Sequence, residues 1–471
     1  FLIINRNHNW KVIKTRVWIH EQYNNWVMTK NKLDLIFKSY DIRGVYGDSI
    51  DQDIAYKIGK AFAEFVPDDT IIVGHDGRVS NIEMLDAFTS GIKSINKEII
   101  YVGLVPTDTV YSLSGLLKKP GAIITASHNP KNYNGLKLCN AGAIPIGENS
   151  GLMDIKKLAD RNVEIRIEKF KINDKYLGNE YYEHLKNLVS PESISQKLNF
   201  GIDGGNGVFG AVFDTLNNIY KFNVKSIYLE VDGNFPNHPA DPSDESNLTD
   251  LKNLVIDNDL DFGIAFDGDA DRGVFIDNLG RVISGSMMTV LISEFLSSQK
   301  NEFRVVHNVN VSPHALKMMK NNNIELYKCK VGHSNIKKMM RDVDADFGGE
   351  HSAHFYYRDN FYADSAILTL LIFMKLLSNN KEKLSSIIDN YNFPPSSGEI
   401  NFSVEDINES ISKIESIFEG EFDQTDGLSC LHRNFWFNVR GSNTENKLRI
   451  NVEADTQEIL DQVLEKISSS I

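Results

Sequence analysis

Residues 261–272 read Asp-Phe-Gly-Ile-Ala-Phe-Asp-Gly-Asp-Ala-Asp-Arg, an apolar run that ends in closely spaced acids. The apolar half is typical of a buried strand, and open α/β sheets bind ligands beyond the carboxyl ends of their strands. Asp267, Asp269 and Asp271 would repel one another unless a cation neutralised them. Carboxylate oxygens suit Mg²⁺ or Ca²⁺, but Asn278 stands where a calcium loop needs a bidentate glutamate. The stretch therefore predicts a magnesium site at a strand end, with a solvated acidic turn as the alternative.

Strand-like runs alternate with helical patterns on both sides of this stretch, which predicts an α/β fold. Ile54, Ile58 and Phe62 recur at helical spacing, and Ser80 with Glu83 predicts a capping box at the start of the next helix. The predicted strands are residues 71–74, 99–102, 122–125, 200–203, 226–229, 261–266, 304–307 and 324–327, and then 399–402, 435–439 and 448–451.

The order of these elements predicts three similar mixed α/β domains, each a sheet flanked by helices, and a C-terminal α+β domain, all around a central cleft. The predicted domains are residues 28–172, 173–280, 281–392 and 393–471. Residues 1–27 precede the first methionine and are expected to be disordered or an upstream extension, with an amphipathic arm as the alternative.

The bulk composition narrows the class of protein. The chain has 471 residues and a formal net charge of −14, so binding to nucleic acid or to an anionic membrane surface is not expected. The three cysteines are widely spaced and predict neither a disulfide framework nor a zinc site, which favours a cytoplasmic location. An anionic substrate would require a locally basic pocket.

A second motif follows another predicted strand. Residues 125–130 read Thr-Ala-Ser-His-Asn-Pro, and Lys137 lies shortly after them. A serine at a strand end can act as a nucleophile, and a polar turn closed by Asn129-Pro130 is the structural alternative.

Two further motifs are rich in polar side chains. Residues 348–354 read Gly-Gly-Glu-His-Ser-Ala-His, which could bind sugar hydroxyls and supply an acid or a base, although a lone histidine is more often structural. Residues 440–445 read Arg-Gly-Ser-Asn-Thr-Glu, which could bind a phosphate or form a polar hairpin turn. Each predicted domain thus carries one chemical motif.

Together with these motifs, residues 40–44, 74–78, 232–238 and 331–334 resemble landmarks of the α-D-phosphohexomutase family. The resemblance runs from about Leu33 to the C-terminus, and the form of the 349–354 loop is similar to the phosphomannomutase/phosphoglucomutase branch. It implies interconversion of hexose 1-phosphate and hexose 6-phosphate, of mannose, glucose or both, through a phosphoserine and a 1,6-bisphosphate. The implied cofactors are Mg²⁺ and hexose 1,6-bisphosphate as activator and intermediate; hexose phosphates are the implied partners, and a monomer or homodimer is expected.

The resemblance also implies a role for individual residues. Ser127 would be the phosphoserine, and its phosphate would bind Mg²⁺ together with Asp267, Asp269 and Asp271. The implied catalytic residues beside Ser127 are His128, Lys137, Arg272, His354 and Arg43, with Lys137 and His354 as acid/base candidates. The implied substrate-binding residues are Tyr40, Gly332, His333, Glu350, Ser352 and His354 for the sugar, and Arg440, Ser442, Asn443 and Thr444 for the phosphate that is not reacting.

The sequence departs from the family pattern at four positions, His75, Asp108, Gly441 and Asn446, and none of these removes a group that the implied chemistry needs. Two other functions stay open: a metal-dependent sugar-phosphate phosphatase that uses the same serine, and a non-catalytic sugar-phosphate binding protein. The preference between mannose and glucose is also open, because epimers differ by few contacts.

Overall fold

The alternating strand and helix patterns fold into four separate β-sheets with helices packed against them. The structure is a computed structural model, and it describes residues 32–171, 178–322, 324–441 and 447–471. None of the helices in these residues combines the length and the apolar character that a membrane crossing requires.

The first domain contains a six-stranded mixed sheet in the order β1-β5-β4-β2-β3, with β6 paired to β5. Its elements are α1 (Lys32–Ile36), β1 (Ile42–Val45), α2 (Gln52–Phe65), β2 (Thr70–His75), α3 (Asn81–Lys93), β3 (Glu98–Leu104), α4 (Thr107–Leu117), β4 (Gly121–Ile124), β5 (Tyr133–Asn140), β6 (Ile144–Pro145) and α5 (Leu152–Ala159). Asp51 caps the N-terminus of helix α2, because its side chain accepts from the backbone N–H of Ile54, and the helix buries the predicted face of Ile54, Ile58 and Phe62.

The second domain contains a five-stranded sheet in the order β11-β10-β9-β7-β8. Its elements are α6 (Asn179–Leu188), β7 (Asn199–Asp203), α7 (Phe209–Tyr220), β8 (Asn223–Ile227), α8 (Thr249–Asp257), β9 (Phe262–Phe266), β10 (Gly273–Asp277) and β11 (Val282–Ile283).

The third domain contains a five-stranded sheet in the order β13-β12-β14-β15-β16. Its elements are α9 (Gly285–Ser297), β12 (Arg304–Asn308), α10 (Pro313–Asn321), β13 (Glu325–Cys329), α11 (His333–Asp342), β14 (Phe347–Gly349), β15 (Phe355–Tyr357), β16 (Ala363–Asp364), α12 (Ala366–Ser378) and α13 (Leu384–Asp389). Short 3₁₀ turns occur at Glu148–Ser150, Pro191–Ser193, Glu245–Leu248 and Arg358–Asn360 in these three domains.

The three mixed sheets share one strand order. In each, the first of three parallel strands lies between the second and the third, as in β3-β2-β4, β8-β7-β9 and β13-β12-β14. An antiparallel strand, β5, β10 or β15, then pairs with the third strand. The prediction of three similar α/β domains is confirmed, with antiparallel strands at one side of each sheet.

The fourth domain is a fully antiparallel sheet in the order β17-β21-β20-β19-β18, with two helices. Its elements are β17 (Ser396–Ser403), α14 (Ile407–Ile417), β18 (Glu421–Asp423), β19 (Leu428–Leu431), β20 (Phe435–Gly441), β21 (Lys447–Ala454) and α15 (Gln457–Ser468). Its apolar core is separate, whereas one continuous core joins residues of the first three domains. The predicted α+β class of this domain is confirmed.

Two local predictions were wrong. The capping box at Ser80 does not form: the Ser80 hydroxyl accepts from Asn134 Nδ2 at 2.7 Å instead, and Glu83 accepts from the Tyr46 hydroxyl. The strand predicted at residues 226–229 begins earlier and ends at Ile227, because Tyr228 has a φ of +55° that breaks the extended conformation. A partner distant in sequence, Asn134, thus displaces the capping box, and a turn at Tyr228 ends the strand.

Candidate active site

The chemical motifs follow the same strand of each repeated sheet. Ser127 follows β4, Asp267 follows β9, and Glu350 follows β14, and each of these is the third parallel strand of its sheet. Ligands of open α/β sheets bind beyond the carboxyl ends of the strands. Each of the three domains therefore carries its polar loop at the same end of its sheet, where the loop can contribute to a shared cleft.

The serine of the first loop contacts an aspartate of the second. The Ser127 hydroxyl donates to Asp267 Oδ2 at 2.7 Å, and Ser127 Oγ lies 3.2 Å from His128 Nδ1. Both Ser127 and Asp267 are buried. A candidate nucleophile of one domain is thus in direct contact with the acidic loop of the next.

The three aspartates form a compact set of oxygen donors. Carboxylate oxygens of Asp267, Asp269 and Asp271 lie within 4.8 Å of one another. The Oδ1 atoms of Asp269 and Asp271 are buried and have no hydrogen-bond partner among the described residues, whereas Asp269 Oδ2 accepts from the Thr107 hydroxyl at 2.6 Å. Buried carboxylate oxygens without protein donors fit a hard divalent cation, so these residues could hold Mg²⁺.

Charge in this cluster is distributed unevenly. Burial, together with Asp271 and Asp269, raises the pKa of Asp267 well above its ordinary value. Burial opposes ionisation of Asp271 as well, but Lys137 and His354 outweigh it and hold the pKa of Asp271 well below its ordinary value. Lys137 Nζ lies 2.7 Å from Asp269 and also contacts Asp271. These carboxylates overcome the effect of burial and raise the pKa of Lys137, so it is a charged lysine.

Arg272 forms hydrogen bonds to His128 and His354. Its Nη2 donates to His128 Nδ1 at 2.7 Å, and its Nε donates to His354 Nε2 at 3.3 Å. Burial, with a contribution from Arg272, lowers the pKa of His128 well below its ordinary value, so the ring is neutral and can accept this bond. His354 Nε2 also lies 3.5 Å from Asp271 Oδ1. His354 therefore reaches the acidic cluster from the third domain.

Arg43 contacts the serine loop from β1. Its Nη1 donates to the Ala126 carbonyl at 3.4 Å and to the Asn129 side chain, and its Nε pairs with Asp41 at 2.6 Å. The structure thus places Arg43 and His128 beside Ser127, as the family resemblance implies, and supplies positive charge close to the serine.

The Glu350 carboxylate is held by donors on both oxygens. Tyr356 donates to Oε1 at 2.5 Å, and Asn308 Nδ2 donates to Oε2 at 2.8 Å. Ser352 Oγ lies 3.4 Å from Oε2 and 3.1 Å from His354 Nδ1, so the three predicted residues of this loop form one chain. Sequence reasoning missed Asn308 and Tyr356; the position of Asn308 at the end of β12 was the available signal.

The loop that begins α11 lies between the first and fourth domains. Tyr40 donates to the Val331 carbonyl at 2.8 Å, and Asp426 accepts from the Val331 N–H at 2.9 Å. Gly332 has a φ of +122°, and a Cβ there would lie 2.4 Å from the Tyr40 ring, so glycine is required. Both ring nitrogens of His333 are buried without a hydrogen-bond partner in the part of the chain that the structure describes. Both nitrogens therefore have unused hydrogen-bonding capacity within the described residues.

Only part of the predicted phosphate loop is described. Arg440 is the second-to-last residue of β20 and is buried. Its Nη2 donates to Glu399 Oε2 at 3.1 Å. Arg449 donates to the other oxygen of Glu399, also at 3.1 Å. Ser442, Asn443 and Thr444 lie outside the described residues, and their contribution to a phosphate site stays a prediction.

Asp108 of the first domain contacts both the second and the third domain. It follows Thr107, which contacts Asp269, and its Oδ2 accepts from the Tyr181 hydroxyl at 2.9 Å and from the Ser365 hydroxyl. Burial raises the pKa of Asp108 to about 7. A residue that departs from the family pattern thus forms a junction of three domains.

We expect Asp108→Asn to change how stability depends on pH. Between about pH 4 and pH 7 the Asp108 carboxyl ionises in the unfolded chain but stays protonated in the folded one, so stability falls as the pH rises. Asparagine cannot ionise, and the variant should therefore gain stability over the wild type at pH 8 relative to pH 5. Urea unfolding at the two values measures this difference. The exposed Asp48→Asn serves as control, and parallel curves for wild type and Asp108→Asn would contradict the expectation.

Family models cover nearly all of the described chain. They match as Phosphoglucomutase/phosphomannomutase alpha/beta/alpha domain I at residues 34–165, domain II at 179–280, domain III at 284–392, and the C-terminal domain at 399–470.

Individual relatives resemble the chain over most of their length. A phosphomannomutase of Methanocaldococcus jannaschii is 33% identical over 93% of this chain and 97% of that protein. A phosphomannomutase of Escherichia coli K12 is 34% identical over 89% of this chain and 94% of that protein. The crystal structure of a phosphoglucomutase/phosphomannomutase family protein from Burkholderia thailandensis superimposes with a TM-score of 0.82 at 26% identity, covering 93% of this chain and 97% of that one.

Proposed function

The chain belongs to the phosphoglucomutase/phosphomannomutase family and is a hexose phosphate mutase, and on that premise we propose that Ser127 carries the phosphoryl group that it transfers. The observation that supports this role is the 2.7 Å contact between the Ser127 hydroxyl and Asp267. It joins the candidate nucleophile to the candidate metal ligands across two domains.

The acidic loop would hold the cofactor. Asp267, Asp269 and Asp271 would bind Mg²⁺, which would offset negative charge on the phosphoryl group. The buried Oδ1 atoms of Asp269 and Asp271, which accept no hydrogen bond from the described residues, support this assignment. The ammonium of Lys137 and the guanidinium of Arg272 would add fixed positive charge beside the same group.

The first transfer would proceed from phosphorylated Ser127 to the free hydroxyl of a hexose monophosphate. The bond between phosphorus and Ser127 Oγ breaks, and a bond from phosphorus to the sugar oxygen forms. Net, the sugar hydroxyl gives up its proton and Ser127 Oγ gains one. Because Lys137 is already protonated, it would give a proton to Ser127 Oγ, and His354 would accept the proton of the sugar hydroxyl.

The product of that step is a hexose 1,6-bisphosphate, which would turn end for end before its other phosphate returns to Ser127. Glu350, Ser352 and His333 would contact the sugar in both orientations. Arg440, with Ser442, Asn443 and Thr444, would bind the phosphate that is not reacting. A binding site for the second phosphate is what separates a mutase from a simple phosphatase, because hydrolysis needs only one.

The test is a coupled assay that offers mannose 1-phosphate and glucose 1-phosphate separately, with Mg²⁺ and a trace of the matching 1,6-bisphosphate. We expect the corresponding 6-phosphate to form, and the ratio of the two kcat/KM values to define the sugar preference. Release of free phosphate without any 6-phosphate sugar would support the phosphatase instead. Binding without turnover of either sugar would support the non-catalytic binding protein.

Removal of divalent cations should abolish this activity. We expect EDTA to lower kcat by at least about two orders of magnitude, because the negative charge of the reacting phosphoryl group and three carboxylates would be left without a metal. Addition of excess Mg²⁺ should restore the rate, and the matched control is EDTA already saturated with Mg²⁺. Full activity of a metal-free sample would contradict the assignment of the acidic loop.

The cytoplasmic location, the absence of nucleic-acid and membrane partners, and the monomeric or homodimeric state expected from the sequence stay predictions.

A further inference from the structure

We propose that Thr125, Asp76 and Arg78 are positioning residues that fix the backbone of the loop around Ser127. This inference rests on the proposed role of Ser127 as the phosphoryl carrier. None of the three has a hydrogen bond to Ser127 Oγ, so they would act through the backbone and not as catalytic residues.

The backbone of Ser127 needs such support. Its φ is +50°, in the left-handed region that non-glycine residues adopt only at a cost of roughly 1–2 kcal/mol. Gly268 of the acidic loop passes so close that a Cβ there would lie 2.5 Å from the Ser127 carbonyl oxygen. The direction of the Ser127 hydroxyl therefore depends on holding an unfavourable conformation against a neighbouring loop.

Thr125 holds the amide side of Ser127. The Thr125 hydroxyl accepts from the Ser127 N–H at 2.8 Å and donates to Asp76 Oδ2 at 2.6 Å. Asp76 Oδ1 accepts from the Arg78 N–H at 3.0 Å and from Asn81 Nδ2. Thr125, Asp76 and Arg78 are all buried, so these bonds are shielded from water.

Arg78 holds the carbonyl side of the same loop. Its Nη2 donates to the carbonyls of Ser127 and Asn129 at 2.7 and 2.6 Å. Its Nη1 donates to the carbonyls of Pro130 and Tyr133 at 2.8 and 2.9 Å. One guanidinium thus bonds to four carbonyls from the loop and from the start of β5, which its rigid planar set of donors can reach together.

The side chains of this network follow β2 and β4 in the first domain, whereas Glu350, Ser352, His333 and Arg440, which would contact the phosphoryl acceptor, belong to the third and fourth domains. Loss of a network bond should therefore misplace Ser127 without altering the contacts to the sugar. Small displacements of a nucleophile cost rate and not affinity, so kcat should fall while KM stays nearly constant.

Thr125→Val and Thr125→Ser test the inference. Valine keeps the shape of threonine but removes the hydroxyl, whereas serine keeps the hydroxyl. We expect Thr125→Val to lower kcat by roughly 10- to 100-fold with KM changed less than about threefold, and Thr125→Ser to retain most of the wild-type rate. Phosphorylation of the dephosphorylated enzyme by hexose 1,6-bisphosphate should slow in parallel with kcat.

Thr89→Val is the matched control, because Thr89 is equally buried and, among the described residues, its hydroxyl bonds to carbonyls of its own helix alone. It should leave kcat unchanged. Arg78→Lys is the second variant: an ammonium cannot reach all four carbonyls, so kcat should again fall without a comparable rise in KM.

Wild-type kcat in Thr125→Val, or equal losses in the valine and serine variants, would overturn the inference. A rise in KM at constant kcat would overturn it too. Failure of the proposed function would be visible earlier and separately, as a wild-type enzyme without mutase activity or with activity independent of Ser127.

Discussion

Replacing Ser127 with alanine is expected to lower kcat for hexose phosphate interconversion by roughly three orders of magnitude or more. The hydroxyl is the only atom of this residue that can form the phosphoester, and removal of a nucleophile costs this much or more when no other group replaces it. Binding of hexose 1-phosphate should persist, because the residues proposed to contact the sugar and its phosphate belong to other loops.

Three measurements check this expectation. The coupled assay gives kcat, calorimetric titration with hexose 1-phosphate gives binding, and intact mass spectrometry after exposure to hexose 1,6-bisphosphate shows whether one phosphoryl group is retained. Ser412→Ala, at an exposed position of α14, controls for the loss of a serine hydroxyl. An alanine variant that kept more than about a tenth of the rate would rule out Ser127 as the carrier.

The parts of the site that the sequence predicted are those in which a polar motif directly follows an apolar strand. Ser127, Asp267 and Glu350 were found in this way, because the carboxyl end of a strand fixes where a ligand can bind. The 2.7 Å contact between Ser127 and Asp267 brings the first two of these loops together, whereas Glu350 bonds to Asn308 and Tyr356 of its own domain. The repeated strand order explains why the same local signal occurs in three places, and the roles of the three residues stay predictions.

The antiparallel strands β5, β10 and β15 were not predicted, although they complete each sheet. β5 and β10 are buried along almost their entire lengths and lack a clear alternation of polar and apolar residues. Their strand state depends on pairing with β4 and β9, which is a tertiary effect that a local window does not contain.

The contacts of Thr107 and Asp108 could not be read from the sequence either. Thr107 donates to Asp269, and Asp108 accepts from Tyr181 and Ser365, at separations that no local pattern encodes. Such residues are recognised only when the fold brings their partners together. The capping box at Ser80 failed for the same reason, because Asn134 competes for the serine oxygen.

Replacing Lys337 with methionine is expected to lower the free energy of unfolding by about 3–5 kcal/mol, because it would leave Asp364 as a buried charge without its partner. The Lys337 side chain is 0% exposed, its Nζ lies 2.6 Å from Asp364 Oδ1, and it packs 3.8 Å from the ring centre of Tyr111 in the first domain. Asp364 also lies close to Asp271 and His354. An uncompensated carboxylate at this place would therefore disturb the active site as well as the core.

A double-mutant cycle separates the ion pair from packing. Asp364→Asn in the Lys337→Met background removes the stranded charge, so the double variant should be more stable than Lys337→Met alone, and the two effects should not add. Lys338→Met is the control, because the Lys338 side chain is next to Lys337 in sequence but is 73% exposed. This substitution should change the free energy of unfolding by less than about 0.5 kcal/mol. Urea midpoints for the four proteins measure the cycle. If the double variant were less stable than Lys337→Met by the full cost of Asp364→Asn, the two residues would not be coupled. The stability of α11 would then have to come from its apolar contacts and from Arg341, which donates to the carbonyls of Ala143 and Phe361.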